Sequence, residues 1–349
     1  MSSIYRRDSV IVVVRPVDER CNLSCEYCNA AVHANSRAIM SRETLERIIV
    51  QASKPDYRFV QFVWHGGEPL LAGLDFYKAV LELQQQHFGG NFAAGRCENV
   101  IQTNGLLLST NTLDFLEKGG FWIGTSIDGP DLSANRYRFQ GRGAETVLKK
   151  TLDACRSVRA RGLSLLTISV IHDANFYRAE EMYHFFCKLD VSKVSFNPRF
   201  LRGEHPENTT PHQFEHFLRA FLAARGKSAQ SGGKWLRVGI LDDIIEVSKG
   251  AQSKMCFFSG QCHKFLSVTQ DGEIYASCTD ALGAKLGSVY SNGLDECITG
   301  HTGGPNPQIM RLLRKSVLGR IGPGCPKHSV RGYDIFLPIY RRILADMEN

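Results

Sequence analysis

The chain has 349 residues, of which 43% are hydrophobic and 22% are charged. This length predicts one large domain, or a large domain with a smaller appendage. No apolar run approaches the ~20 residues that cross a bilayer, which excludes a helical membrane protein. The net charge of +7 includes no block of five like charges, so it does not by itself indicate nucleic-acid binding. An acidic redox partner or an acidic peptide would suit it equally well.

The N-terminal sequence predicts a cytoplasmic protein. Its apolar run, Val10–Val14, ends at Arg15 and is shorter than the ~7–15 residue core of a signal peptide. The chain has 11 cysteines, and in a reducing compartment cysteines serve metal binding or catalysis more often than disulfides. The cysteines are therefore expected to bind metal.

The first two thirds of the chain alternate short β-branched runs with segments of helical period. Strands are predicted over residues 10–17, 59–65, 98–104, 121–127, 164–171 and 193–199. Helices are predicted over residues 41–53, with Ser41 and Thr44 at a capped start, and over 74–88, 109–120, 145–162, 178–190 and 210–227. This order predicts an α/β fold with a parallel sheet, either an open doubly wound sheet or a full or partial barrel.

Polar or glycine-rich residues follow every predicted strand. Both candidate architectures place their chemistry at the carboxyl ends of the strands. Three cysteines follow the first strand, and the next five strands end in HGGEP (65–69), QTNG (102–105), SIDGP (126–130), IHDAN (171–175) and NPR (197–199). We therefore expect an active site on this rim of the sheet.

The small polar residues between Ser228 and Trp235 predict a domain boundary. Residues 1–235 would form the α/β domain and residues 236–349 a small, cysteine-bearing second domain. Within the second part, Asp271 and Gly272 predict the turn of a β-hairpin.

Cys21, Cys25 and Cys28 fall within eight residues and allow three interpretations. They could form one face of a helix, but the segment lies between a predicted strand and a predicted helix. They could join His33 in a tetrahedral zinc site. They could also hold an iron–sulfur cluster with one iron left open for a substrate or cofactor. Spacing alone does not decide between zinc and iron–sulfur.

The C-x3-C-x2-C segment with Tyr27, followed by GGEP after the second strand, resembles the radical S-adenosylmethionine (radical SAM) enzymes. The resemblance implies a partial (β/α)6 TIM-type barrel. It also implies that Cys21, Cys25 and Cys28 hold a [4Fe-4S] cluster that cleaves S-adenosylmethionine to a 5′-deoxyadenosyl radical. The cofactor-binding residues that it implies are Tyr27, Gly66, Gly67, Glu68, Thr103, Asn104, Ser126, Asp128 and Ile171. Among these, Glu68 would bind the ammonium group of S-adenosylmethionine and Ile171 would cover its adenine.

The tail resembles the SPASM or twitch domain of anaerobic sulfatase-maturating enzymes. The resemblance implies one auxiliary [4Fe-4S] cluster, held by Cys256, Cys262, Cys278 and Cys325, because the cysteines of a second auxiliary site are missing. Asp280 lies near the position of a catalytic aspartate in those maturases. The segment 126–145 also resembles them, although Ala134 and Asn135 replace their histidine–aspartate pair.

These features favour an enzyme whose 5′-deoxyadenosyl radical abstracts hydrogen from a peptide or protein side chain, which leads to a crosslink, thioether, epimer or oxidised product. The auxiliary cluster would aid electron transfer or substrate binding. A flavodoxin- or ferredoxin-type reductant would be its electron donor, and neither nucleic acid nor membrane is expected as a partner. The alternatives are a radical SAM dehydrogenase or rearrangement enzyme acting on a small metabolite, and a regulatory protein with a structural metal. The last alternative predicts no use for GGEP or for the polar strand ends.

Overall fold

A computed structural model of the protein describes residues 9–28, 38–54, 57–90, 95–199, 208–252, 265–276, 285–299 and 336–348. Within these ranges, no helix is both long and apolar enough to cross a membrane.

Ten strands form one sheet in the described ranges. The six predicted strands are confirmed as β1 (Ser9–Val14), β2 (Phe59–Trp64), β3 (Cys97–Thr103), β4 (Phe121–Ser126), β5 (Leu165–Ile171) and β6 (Lys193–Pro198). Four more follow: β7 (Arg237–Val238), β8 (Phe265–Val268), β9 (Glu273–Ala276) and β10 (Lys285–Ser288). The spatial order is β10-β9-β8-β1-β2-β3-β4-β5-β6-β7, and β1 to β7 pair in parallel. Since β10 and β7 end this order without pairing to each other, the described sheet does not close, as expected of a partial barrel.

The six predicted helices are present, and in the described ranges three more follow that the sequence did not predict. They are α1 (Arg42–Ala52), α2 (Leu74–Phe88), α3 (Thr110–Lys118), α4 (Ala144–Ala160), α5 (Ala179–Lys188), α6 (Pro211–Gln230), α7 (Gly239–Ser248), α8 (Gly293–Thr299) and α9 (Phe336–Glu348). Helix α1 begins as expected, because the Ser41 side chain accepts a hydrogen bond from the Thr44 amide at 3.0 Å. A short 3₁₀ helix, Pro69–Ala72, follows GGEP.

The two faces of the sheet are buried to different degrees. Along β2 and β5 every second residue is fully buried, and the residues between them are only half-buried. The buried face packs against the helices; Trp64 of β2, for example, stacks edge-on against Phe76 and Tyr77 of α2. In a closed α/β sheet both faces of the strands would be buried. The half-buried face is therefore the more accessible of the two.

The C-terminal strands extend the same sheet. Strand β8 pairs in parallel with β1, next to the cysteine segment, and β9 returns antiparallel to β8. Gly272 adopts a φ of 82° in the turn between them, which confirms the hairpin predicted at Asp271 and Gly272. The predicted domain boundary at residues 235 and 236 stays a prediction.

Candidate active site

The three cysteines lie in an irregular segment directly after β1. No helix forms over Cys21–Cys28, so the interpretation as one face of a helix is wrong. All three are partly exposed free thiols. Burial raises the pKa of the Cys25 thiol to about 11, Arg138 opposes this shift, and Cys28 and Cys21 add to it. These mutual effects mean that the three sulfur atoms lie near one another.

The two metal interpretations make different demands on the thiols. A tetrahedral zinc site needs its ligands to converge on one ion, whereas a cluster offers each thiolate its own iron atom. Cys21, Cys25 and Cys28 are three separate, partly exposed thiols on one irregular segment, and such a set can serve as the ligands of a cluster. His33 lies outside the described residues.

Gly66 and Gly67 lie against the backbone that leads into the cysteines. The Gly67 amide donates to the Asp18 carbonyl at 2.7 Å, and the Glu68 amide donates to the Arg20 carbonyl at 2.9 Å. A Cβ atom on Gly67 would lie 2.1 Å from the Arg20 carbonyl oxygen, and one on Gly66 would lie 2.3 Å from that of Asp18. These glycines thus allow the GGEP backbone to lie close to the backbone of the chain's own cysteine segment.

Glu68 joins two of the predicted strand ends, its own after β2 and the one after β3. It is fully buried, and its carboxylate accepts hydrogen bonds from the Thr103 hydroxyl at 2.8 Å, the Asn104 amide at 2.8 Å and the Leu70 amide at 3.0 Å. Burial raises the pKa of the Glu68 carboxyl, and the hydrogen bonds from Asn104 and Thr103 oppose this shift. Asn104 in turn donates its side-chain amide towards Cys21 Sγ at 3.7 Å. Glu68, Thr103, Asn104 and Cys21 therefore form one connected group.

Ser126 lies on the half-buried face of the sheet. Its hydroxyl accepts a hydrogen bond from the Gln102 side-chain amide at 2.8 Å. A Cβ atom on Gly124 would lie 2.2 Å from the side-chain oxygen of Gln102, Oε1. Because residue 124 has no side chain, Gln102 and Ser126 can meet as a polar pair on the half-buried face.

Asp128 and Tyr27 form a buried link between the end of β4 and the cysteine segment. Asp128 is fully buried, and its carboxylate accepts hydrogen bonds from the Tyr27 hydroxyl and from the Val170 amide, the latter at 2.8 Å. Ile171 is also fully buried and belongs to the hydrophobic core. The predicted contacts of Tyr27, Asp128 and Ile171 with the cofactor stay predictions.

Two arginines that the sequence did not single out support the cysteine segment. Arg138 is buried, donates to the Tyr27 hydroxyl at 3.0 Å and acts electrostatically on Cys25. Arg199 is buried at the end of β6 and pairs with Glu26 at 2.8 Å. Arg199 belongs to the strand end NPR, which the sequence had marked, but no local signal showed that its partner lies between two of the cysteines.

Ala134 and Asn135, the two residues at which the sequence departs from the expected pattern, are fully buried. Asn135 accepts from the Asp128 amide at 2.8 Å and donates to the carbonyls of Gly129 and Asp131. Ala134 accepts a hydrogen bond from His172 Nε2 at 3.0 Å. A carboxylate at residue 135 could not make the two donations, so the amide suits this turn.

The predicted residues of the tail cannot be placed in this site. Cys256, Cys262, Cys278, Cys325 and Asp280 lie outside the described residues.

Comparison with known proteins agrees with this site. Residues 17–186 match the Radical SAM superfamily. The serine-type anaerobic sulfatase-maturating enzyme of Bacteroides thetaiotaomicron is 30% identical over 313 residues, covering 82% of this chain and 73% of that protein. The cysteine-type enzyme of Clostridium perfringens (strain 13 / Type A) is 25% identical over 274 residues, covering 76% of this chain and 73% of that protein.

Solved structures show the same fold. Native anSMEcpe with bound AdoMet and Cp18Cys peptide superposes with a TM-score of 0.80 at 21% identity, over 98% of this chain and 99% of that one. Streptococcus suis SuiB bound to precursor peptide SuiA gives a TM-score of 0.62 at 14% identity, over 85% and 66%. The chain therefore belongs to the radical SAM superfamily and, within it, to the family that contains the anaerobic sulfatase-maturating enzymes.

Proposed function

We propose that this radical SAM enzyme oxidises a serine or cysteine side chain of a protein substrate. The observation that carries the proposal is the group at the sheet rim in which Glu68 holds Thr103 and Asn104 beside Cys21. The choice of reaction is supported by the relatives, which are named as serine-type and cysteine-type sulfatase-maturating enzymes.

Each part of the rim has a role in this proposal. Cys21, Cys25 and Cys28 hold the [4Fe-4S] cluster, and Glu68 offers a carboxylate to the ammonium group of S-adenosylmethionine. The cluster and S-adenosylmethionine supply the 5′-deoxyadenosyl radical that removes a hydrogen atom from the substrate. Arg138 lies next to Cys25 and lowers the cost of placing thiolates in a partly buried segment.

The half-buried face of the sheet offers the substrate a place to enter. Gln102 and Ser126 give this face a polar pair close to the rim. Because Gly124 has no side chain, β4 places no bulky group between Gln102 and Ser126. A peptide side chain could therefore reach the rim from the interior and be oriented by hydrogen bonds.

The tail and an external protein supply the remaining parts. We propose that Cys256, Cys262, Cys278 and Cys325 would hold one auxiliary [4Fe-4S] cluster, which would accept the second electron from the substrate radical, and that Asp280 would take the proton released from the substrate. A flavodoxin- or ferredoxin-type protein would reduce the radical-generating cluster.

The experiment uses anaerobically reconstituted protein with a chemical reductant and S-adenosylmethionine. Three peptides would be compared, of a sulfatase-type sequence carrying serine, cysteine or alanine at the target position. We expect 5′-deoxyadenosine together with an oxidised serine or cysteine peptide in mass spectra, and an unchanged alanine peptide. The triple variant with Cys21, Cys25 and Cys28 changed to alanine should form neither product. Cleavage of S-adenosylmethionine with all three peptides unchanged would contradict the proposed substrate.

A further inference from the structure

Asp18 has an unusual backbone conformation three residues before the first cysteine. Its φ is 47°, and Asp190 is the other non-glycine residue with a positive φ in the described ranges. An aspartate enters this left-handed region at a cost that surrounding contacts must offset. In many proteins such a residue is a simple turn whose side chain bonds to its own neighbours.

The contacts of Asp18 reach beyond its own turn, in which its amide donates to the Arg15 carbonyl at 3.3 Å. Its carboxylate accepts a hydrogen bond at 3.1 Å from the amide of Gln270, which lies 252 residues away in the chain. Its carbonyl accepts from the Gly67 amide at 2.7 Å. Asp18 thus joins the cysteine segment, GGEP and the turn between β8 and β9.

A second set of contacts places the same three segments side by side. The Arg15 amide donates to the Val268 carbonyl at 2.9 Å, which continues the parallel pairing of β1 with β8. A side chain at residue 66 would collide with the Asp18 carbonyl oxygen. The left-handed turn at Asp18 therefore requires a glycine at residue 66. The conformation of Asp18 is therefore set by packing against GGEP, and the same conformation directs its carboxylate to the hairpin.

We propose that Asp18 is a positioning residue that holds the β8–β9 hairpin against the cysteine segment. Strand β9 ends at Ala276, two residues before Cys278 in the sequence. The hairpin therefore determines where the chain that leads to Cys278 leaves the sheet relative to Cys21. This role rests on the proposed function. The contact would keep the site of radical formation at the rim and the residues of the tail that act later on the substrate at a constant distance from each other.

Two substitutions of Asp18 separate its carboxylate from its backbone conformation. Asp18→Gly keeps the positive φ without strain and removes the acceptor of the Gln270 amide. Asp18→Asn tolerates the same φ and retains an oxygen acceptor. Asp271→Asn is the matched control, because Asp271 is an exposed aspartate of the same hairpin turn.

The first measurement is hydrogen exchange of the Gln270 amide in the reconstituted protein. Loss of a hydrogen bond to a charged group should speed this exchange by about tenfold or more in Asp18→Gly. Asp18→Asn should exchange more slowly than Asp18→Gly, and Asp271→Asn should match the wild type. An unchanged exchange rate in Asp18→Gly would overturn the proposal.

The second measurement is the amount of oxidised peptide formed per S-adenosylmethionine cleaved. A small displacement of reacting groups can cost about 100-fold in rate, so the ratio should fall about tenfold or more in Asp18→Gly while cleavage continues. Asp18→Asn should restore most of it. Faster exchange at Gln270 with an unchanged ratio would overturn the positioning role. A wild-type enzyme that oxidises no peptide would instead count against the proposed function, and the exchange measurement would still test the contact.

Discussion

The hydroxyl of Tyr27 donates a hydrogen bond to the carboxylate of Asp128, 101 residues further along the chain. Tyr27 lies next to Cys28, and Asp128 lies just beyond the end of β4. Arg138 donates to the same hydroxyl at 3.0 Å, so the pair is part of a buried network. The cysteine segment is thus anchored by a buried aromatic side chain as well as by its own backbone.

Tyr27→Phe removes the donor to Asp128 and the acceptor of Arg138. The free energy of unfolding of the cluster-free protein should fall by about 1.5–3 kcal/mol, since both partners remain buried. Urea denaturation would measure the change. Tyr340→Phe is the control, because Tyr340 donates to Asp243 at 2.7 Å in another buried tyrosine–aspartate pair. Both variants should lose stability, but only Tyr27→Phe should lose iron on reconstitution. Full iron loading in Tyr27→Phe would contradict the anchoring role.

Gly67→Ala should displace the cysteine segment. The new Cβ atom would lie 2.1 Å from the Arg20 carbonyl oxygen and 2.6 Å from that of Glu19, and neither backbone group is the end of a flexible side chain that could move aside. Overpacking of this kind costs about 1–3 kcal/mol, and iron loading should fall with it. Gly226→Ala is the opposite control, because Gly226 lies within α6 with nothing within 4 Å of a new Cβ atom. That change should stabilise the protein by about 0.5–1 kcal/mol. Equal stability of the two variants would refute the steric argument.

Glu68→Gln should weaken binding of S-adenosylmethionine. A side-chain amide cannot accept at both of its ends, so one of the bonds from Leu70, Thr103 and Asn104 is lost and two donors face each other. Loss of the negative charge would also remove a charge-assisted contact of about 1.5–3 kcal/mol to the cofactor's ammonium group. Equilibrium dialysis should show an affinity at least about tenfold lower. Glu82→Gln, which changes an exposed partner of Arg42, should bind normally.

Iron analysis tests the two predicted ligand sets. Seven cysteines divide into one set of three and one set of four, so reconstituted protein should contain about eight iron atoms per chain. Changing Cys21, Cys25 and Cys28 together should leave about four, because the tail set is untouched. Stoichiometric zinc with little iron would contradict both assignments.

His172 gives the stability a defined pH dependence. It is fully buried, donates from Nε2 to the Ala134 carbonyl at 3.0 Å, and burial lowers its pKa below the usual 6.5, with Asp128 and Asp173 opposing. Below pH 6.5 the unfolded chain therefore binds a proton that the folded protein does not. The free energy of unfolding should fall with decreasing pH in this window, by up to about 1.4 kcal/mol per pH unit from this group.

His172→Gln isolates that contribution, because a glutamine amide can still donate to Ala134. Burial raises the pKa of the carboxyl groups of Asp18, Glu68 and Asp128, which act in the opposite sense, so the difference between variant and wild type is the informative quantity. Urea denaturation between pH 5 and 7 should give a smaller acid-induced loss in the variant. Identical pH profiles would rule out His172 as the source.

The sequence alone determined the local structure and the kind of site. Strand β2 was predictable as a short run of β-branched and aromatic residues, and helix α2 because its apolar residues repeat with a period of about 3.6 residues. The cysteine spacing and GGEP were recognisable for a related reason: each motif is short, and its residues act together within one segment. The end of each strand identified the rim because parallel strands bring their carboxyl ends to one edge.

The tertiary structure decided which of these polar residues face each other. Asp128 was expected along the cofactor, and only the fold shows that its carboxylate is held by Tyr27 and Val170. Likewise, the pairing of β8 with β1 joins segments about 250 residues apart. No local pattern encodes such a pairing, because its hydrogen bonds are made by backbone groups that every residue carries. The pairing of β8 with β1 is selected by the burial of whole faces of the sheet and by the lack of space for side chains at Gly66 and Gly67. Both effects exist only once the distant segments are packed together.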